Sequence, residues 1–131
     1  MSVVVERVEG KTLRVTSGNA TVMIDGTGQA GFRSVDLLLG ALGSCMVGTM
    51  LTAASEAAIP VDDVRVELRP VVAFAPAERV SRIRMKMTLA GDFSASHLEA
   101  LKAAAESCKV HNSLHHGIET ELELAATMVA S

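Results

Sequence analysis

The sequence predicts an α+β fold, and three observations carry that expectation. An uncharged stretch, rich in Leu, Ala and Met, lies between Asp36 and Glu56 and is long enough for about five helical turns. Alternation of apolar and polar, mostly charged, residues marks two later segments, Val64–Leu68 and Ile83–Leu89, as strands with one buried and one wet face. The resulting order of strands, long helix, hairpin, helix and strand differs from the regular strand–helix alternation of a parallel α/β sheet. No internal repeat, linker or low-complexity segment divides the chain, so a single domain over residues 1–131 is expected.

Taken in order, VVVERV and KTLRVT flank Glu9-Gly10, and TVMIDGTG follows Ser17-Gly18-Asn19, which reads as three short strands joined by tight turns. The glycines of that last turn, Gly26 and Gly28, have no Lys-Ser/Thr pair after them, so no phosphate loop is indicated. Ser34 is the expected N-cap of the central helix, Asp36 suits its first turn, and Ile59-Pro60 closes it. Gly40, Ser44, Gly48 and Thr52 recur every four residues, a ridge of small side chains along which another backbone can approach. The FAPAER turn then joins the two alternating strands into an antiparallel hairpin. Their Arg and Lys side chains are expected on a solvated face. After Gly91-Asp92 a second helix begins, with Ser96 and Glu99 as a capping box and Ser94 as a competing cap. Leu98, Leu101, Ala105 and Cys108 fall on one side of it, so Cys108 near its end is expected to face the core. KVHNSLHHG offers a further helical turn, and the alternation of Ile118, Thr120, Leu122 and Leu124 with three glutamates predicts a final strand.

A helix apolar on every side is either a membrane span or the buried core of an assembly. Its Gly, Ser and Thr content and its lack of flanking aromatic anchors argue against a span. A chain of 131 residues is small for hiding such a helix alone, so a homodimer that shares the burial is expected. The net charge of −3, spread over mixed-sign segments, and the absence of Trp and Tyr argue against nucleic-acid and anionic-membrane partners. MSVVVERVEG lacks the basic segment and apolar run of a secretory leader, and a cytoplasmic location is expected.

Chemistry concentrates at the only two cysteines, Cys45 and Cys108. Two inert buried thiols are one reading, since free cysteine is among the most buried residue types. The other is a redox pair, in which one thiolate attacks an O–O bond to give a sulfenic acid and the second thiol condenses with it. The attacking thiol needs a lowered pKa. Cys45 lies too deep in its own helix for that helix's dipole to supply it, so a cation is sought among Arg33, Arg14 and Arg7. His111, three residues beyond Cys108, is placed to shuttle a proton. Cys108, His111, His115 and His116 have a loose zinc-like spacing but lack four clear ligands, so no metal and no cofactor are expected.

VDLLLGALGSC around Cys45 and AAAESCKVHNSL around Cys108 resemble the two cysteine motifs of the OsmC/Ohr family, the osmotically inducible and organic-hydroperoxide-resistance proteins. The order of elements agrees over nearly the whole chain. The resemblance implies an OsmC-like intertwined homodimer, with long central helices wrapped by antiparallel β-sheets from both chains. It further implies Cys45 as the peroxidatic and Cys108 as the resolving cysteine of a thiol-dependent peroxidase. The substrate would be an organic hydroperoxide, and the reductant a dithiol such as a lipoylated protein. The chain has Val35 where the hydroperoxide-resistance branch has glutamate, with the neighbouring Asp36 matching an acidic position of the broader family. It also has Lys109 where that branch has proline. These departures keep a second expectation open, a non-catalytic redox-sensing or small-ligand-binding protein on the same scaffold. Leu38, Leu42, Met46 and Met50 are the candidate lining of a pocket for a hydrophobic peroxide.

Overall fold

The computed structural model describes residues 2–127. Three antiparallel strands, β1 (Val4–Glu9), β2 (Thr12–Ser17) and β3 (Ala20–Asp25), form a meander in that order. Its turns are set by sequence: Gly10 and Gly18 take positive φ, as tight hairpin turns require. The turn after β3 is closed by Asp25, whose carboxylate accepts from the Thr27 and Ala30 N–H groups at 3.0 Å each. An acid thus fills this turn from within, in keeping with the expected lack of a phosphate loop.

The central helix α1 runs Ser34–Glu56. Its cap is Arg33 rather than the expected Ser34. A guanidinium has no acceptor for the first N–H groups, and the stabilising contact instead comes from Asp36 Oδ2, which accepts from the Arg33 N–H at 3.1 Å. The helix ends in a Schellman arrangement. Ile59 N–H donates to the Ala54 carbonyl at 2.8 Å and Ala58 N–H to that of Ser55 at 3.2 Å, with buried Ile59 beside buried Ala54. The left-handed position falls on Ala58, at φ 55°. An L side chain pays there for its Cβ, so Ala58→Gly is expected to stabilise the fold by about 0.5–1 kcal/mol, read as a higher urea midpoint.

Strands β4 (Asp63–Ala73) and β5 (Arg79–Ala90) form the long hairpin, with Val64 opposite Leu89, Val66 opposite Met87 and Leu68 opposite Met85. Its apolar face packs on α1, and Arg65, Arg69, Arg82, Arg84 and Lys86 stand exposed on the other face. Gly43, a position the sequence did not single out, allows the close approach of α1 to β4: a Cβ there would lie 2.8 Å from Leu68 Cδ1. The expected ridge of Gly40, Ser44, Gly48 and Thr52 faces outward, and Gly40 and Gly48 open into empty space.

Helix α2 (Ala95–Glu106) is capped by Ser94, not Ser96: Ser94 Oγ accepts from the His97 N–H at 3.1 Å. Leu101 and Ala105 are buried as expected, whereas Leu98 is 47% exposed. Ser107 ends α2, and Cys108 is the N-cap of a separate helix, α3 (Lys109–His116). The core gathers Leu42, Met46, Met50, Ala54, Ile59, Leu101, Ala105 and Cys108 between α1, α2 and the hairpin. The predicted final strand is not formed: residues 117–127 carry no regular structure, and Leu122 and Leu124 are each 90% exposed. Alternation supplies the two faces of a strand, but a strand also needs an edge to pair with. Among the described residues no strand edge pairs with that segment.

By length and composition α1 could cross a membrane. The chain nevertheless buries one stripe of it, Leu39, Leu42, Gly43, Met46, Met50 and Ala54, against its own elements.

Candidate active site

The site is built where the middle of α1 meets the start of α3. Cys45 is half-buried on α1, Cys108 is 1% exposed, and both are free thiols. The break between α2 and α3 turns the first N–H groups of α3 toward Cys45. The Cys45 thiol is therefore held below the ordinary thiol range, chiefly by the Val110 N–H, then by the Cys108 thiol, with the Lys109 N–H and the Thr49 hydroxyl adding to the same effect and burial opposing it. These are the unsatisfied donors at the positive end of a helix, so they favour an anion as a cation would.

Cys108 is shifted the other way. Burial pushes it above the ordinary range, the His111 N–H works against that, and neighbouring Cys45 raises it further. Its sulfur accepts from the His111 N–H at 3.2 Å, the role an N-cap serine would play. The two thiols are thus differentiated by position. One lies near helix donors that favour its charged form, and the other is buried, which favours its neutral form.

The structure brings Cys45, Cys108 and His111 together. Arg33, Arg14 and Asp36 lie apart from that group: the Arg33 guanidinium reaches the Thr27 carbonyl, Arg14 stands opposite Met23 in the meander, and Asp36 serves the α1 terminus. No arginine is among the groups that lower Cys45. The Lys109 and Val110 N–H groups and Thr49 were not anticipated. The signal for the first two lay in Ser107-Cys108 before KVHNSL, a cap-like pair opening a new helix instead of ending the old one.

His111 stacks on His115 with ring centroids 6.1 Å apart, and its Nδ1 is buried without a hydrogen-bond partner among the described residues. Among those residues no group of three His, Cys, Asp or Glu side chains is arranged to hold a metal ion. Two cavities adjoin His111. One, of about 580 Å³, lies between α1, α2 and the hairpin and is lined by Met46, Met50, Met87, Leu89 and Phe93 among others. A second, of about 330 Å³, includes Leu38, Leu42 and Ile83. The four residues expected to line one pocket are thus divided between two.

Several solved structures share this fold. An OsmC-like protein of Mycoplasma pneumoniae superposes with a TM-score of 0.80 at 16% identity, over 87% of this chain and 86% of that one. A hypothetical protein of Aquifex aeolicus gives 0.77 at 18% identity, over 88% and 86%. The organic hydroperoxide resistance protein OsmC of Legionella pneumophila gives 0.64 at 15% identity, over 87% and 89%. At these identities the likeness is one of fold. The comparison with curated protein sequences gave no match. The family model for OsmC-like proteins matches residues 26–123, which include α1, the hairpin, α2, α3 and both cysteines, and on that match the chain belongs to the OsmC-like family.

Proposed function

We propose that this protein is a thiol-dependent peroxidase that reduces organic hydroperoxides with two cysteines, working as a cytoplasmic homodimer. The observation that carries the reading is the opposite tuning of two neighbouring thiols, Cys45 toward thiolate and Cys108 toward thiol. Family membership supports a redox role of this kind. In the first step the Cys45 thiolate attacks the peroxide, forming an S–O bond and breaking O–O; the electron pair leaves with the alkoxide. That alkoxide takes the Cys108 proton and departs as the alcohol. The Cys108 thiolate so formed attacks the Cys45 sulfenic acid, making the disulfide and releasing hydroxide, which solvent protonates. A dithiol reductant, such as a lipoylated protein, returns both thiols.

The test is intact-protein mass spectrometry with thiol alkylation, before and after one equivalent of cumene hydroperoxide. The parent should lose both alkylatable thiols, and Cys108→Ser should stop at a sulfenic acid that a dimedone-type reagent traps. Two thiols still free in the treated parent would end the peroxidase reading. In that event the 580 Å³ apolar cavity beside His111 favours the second reading, a small-ligand-binding protein on the same scaffold.

A further inference from the structure

The two cavities beside His111 follow one another along the central helix. On α1 a row at four-residue spacing passes from Leu38 and Leu42, which line the smaller cavity, to Met46 and Met50, which line the larger. Strand β5 repeats that order on its inward face: Ile83 lines the smaller cavity, Met87 the larger, and Met85 between them lines both. His111 on α3 is likewise shared by the two. From Leu38 to Met50 the helix rises roughly 18 Å. The space is therefore one trough of that length, pinched where Met85 and His111 meet it. The two sides of the pinch differ in freedom. His111 is tied at its backbone, whose N–H donates to Cys108 Sγ at 3.2 Å, and its ring is stacked on His115. Met85 is 38% exposed, and its unbranched thioether side chain turns about three bonds and adapts to what lies against it. The strand itself is held at that level, because Leu68, its partner across the hairpin, packs on Gly43 of α1.

The lining fits one kind of occupant. Lys102 and Glu106, beside the larger cavity, pair with each other at 3.8 Å and cancel in charge, whereas the smaller cavity has exposed Arg82 and His115 in its wall. A long apolar end and a shorter polar end match an unbranched aliphatic chain with a polar head group. We propose that the two cavities are a single binding channel for such a chain, and that Met85 sets the length of chain it takes. The head lies by Arg82 and His115, and the tail passes Met85 toward Met50 and Phe93. A short chain stops before Met85, and a longer one turns its side chain aside. The inference goes beyond the peroxidase reading and does not rest on it, since the ligand needs no O–O bond.

The experiment is displacement of the fluorescent probe N-phenyl-1-naphthylamine by straight-chain primary alcohols from hexanol to dodecanol, with circular-dichroism melting to establish that each variant is folded. In the parent each added methylene should tighten binding about fourfold across the series. Met85→Trp and Met85→Phe, which fill the neck, should bind hexanol within about twofold of the parent, yet bind dodecanol at least about tenfold more weakly than the parent does. Met85→Ala, which removes the neck, should hold dodecanol at least as tightly as the parent. A parent that takes up no alcohol would overturn the proposal, the space then belonging to a second copy of the chain. So would folded aromatic variants that keep the parent's full climb. An alanine variant that loses dodecanol as the aromatic ones do would also overturn it, because Met85 would then be a contact and not a neck. Hydroperoxide consumption by the parent is scored separately. Its absence disposes of the peroxidase, while the alcohol series still decides the channel.

Discussion

Oxidised protein is expected to melt about 10 °C above reduced protein at mildly acidic pH. A Cys45–Cys108 disulfide closes a loop of roughly sixty residues that contains the entire β4–β5 hairpin. Restricting such a loop in the unfolded chain is worth ~4 kcal/mol in chain-entropy terms, and measured bridges usually deliver about 2–4 kcal/mol. At this chain length each kcal/mol moves the midpoint by roughly 3–5 °C. The gap also depends on pH, and its sign follows from the two shifts. Cys45 has a lowered pKa in the folded protein, so reduced protein carries extra stability above the unfolded thiol value and loses it as pH falls through the folded value. The oxidised form has no such group. The gap should therefore narrow as pH rises from the folded Cys45 pKa toward that of an unfolded thiol. Beyond that point the raised Cys108 acts in the opposite sense, since its buried thiolate destabilises the reduced fold. Scanning calorimetry on diamide-oxidised and phosphine-reduced samples, from pH 6 to 9, measures both effects. Equal melting temperatures throughout would mean that the bridge does not form or is strained enough to offset its entropy gain.

The second large effect concerns assembly. Val4, Val5, Val8, Phe32, Phe74, Leu122 and Leu124 are all substantially exposed in one chain, apolar surface that a second copy would cover in the proposed homodimer. Residues 118–124 have one face of Ile118, Thr120, Leu122 and Leu124 and another of Glu119, Glu121 and Glu123. Laid along an edge of a β4–β5 hairpin with its leucines on the apolar side, this segment would set its glutamates among Arg65, Arg69, Arg84 and Lys86. Both the hydrophobic pattern and the charges then agree on one facing, which is what the proposed homodimer needs. Light scattering at micromolar concentration should give the mass of two chains for the parent. Leu122→Asp with Leu124→Asp should give a monomer or an unfolded chain. A folded parent of one-chain mass would remove the dimer.

What could be read from the sequence divides along physical lines. The length of an uncharged apolar run revealed α1, and periodicity revealed α2, β4 and β5, each of which buries one stripe or face within the chain itself. Periodicity also revealed the alternation of 118–124, but not that the segment stays unpaired among the described residues, since pairing is non-local. Choices among neighbouring caps failed for a different reason. Ser34 against Arg33, and Ser96 against Ser94, are decided by one residue's backbone angles, to which composition is blind. The cysteines stood out by scarcity, and the need for a lowered Cys45 pKa in the proposed chemistry led the sequence reading to look for an arginine. What meets that need within this chain is the end of α3, a backbone feature with no side-chain signature. Lys109 is instructive here. Where the hydroperoxide-resistance branch carries proline, lysine keeps an N–H, and that N–H is one of the groups facing Cys45.

Stabilising a thiolate also sets a voltage. Every donor aimed at Cys45 favours the reduced protein, because the disulfide offers those donors no anion. The Cys108 sulfur moreover caps α3 while it is reduced, and in the bridge it must serve that helix and a covalent partner together. Both effects would raise the reduction potential of a Cys45–Cys108 bridge, so the proposed bridge would accept electrons readily, as the proposed cycle requires. In the proposed cycle the donors that ready the first sulfur for attack would thereby also help the reductant.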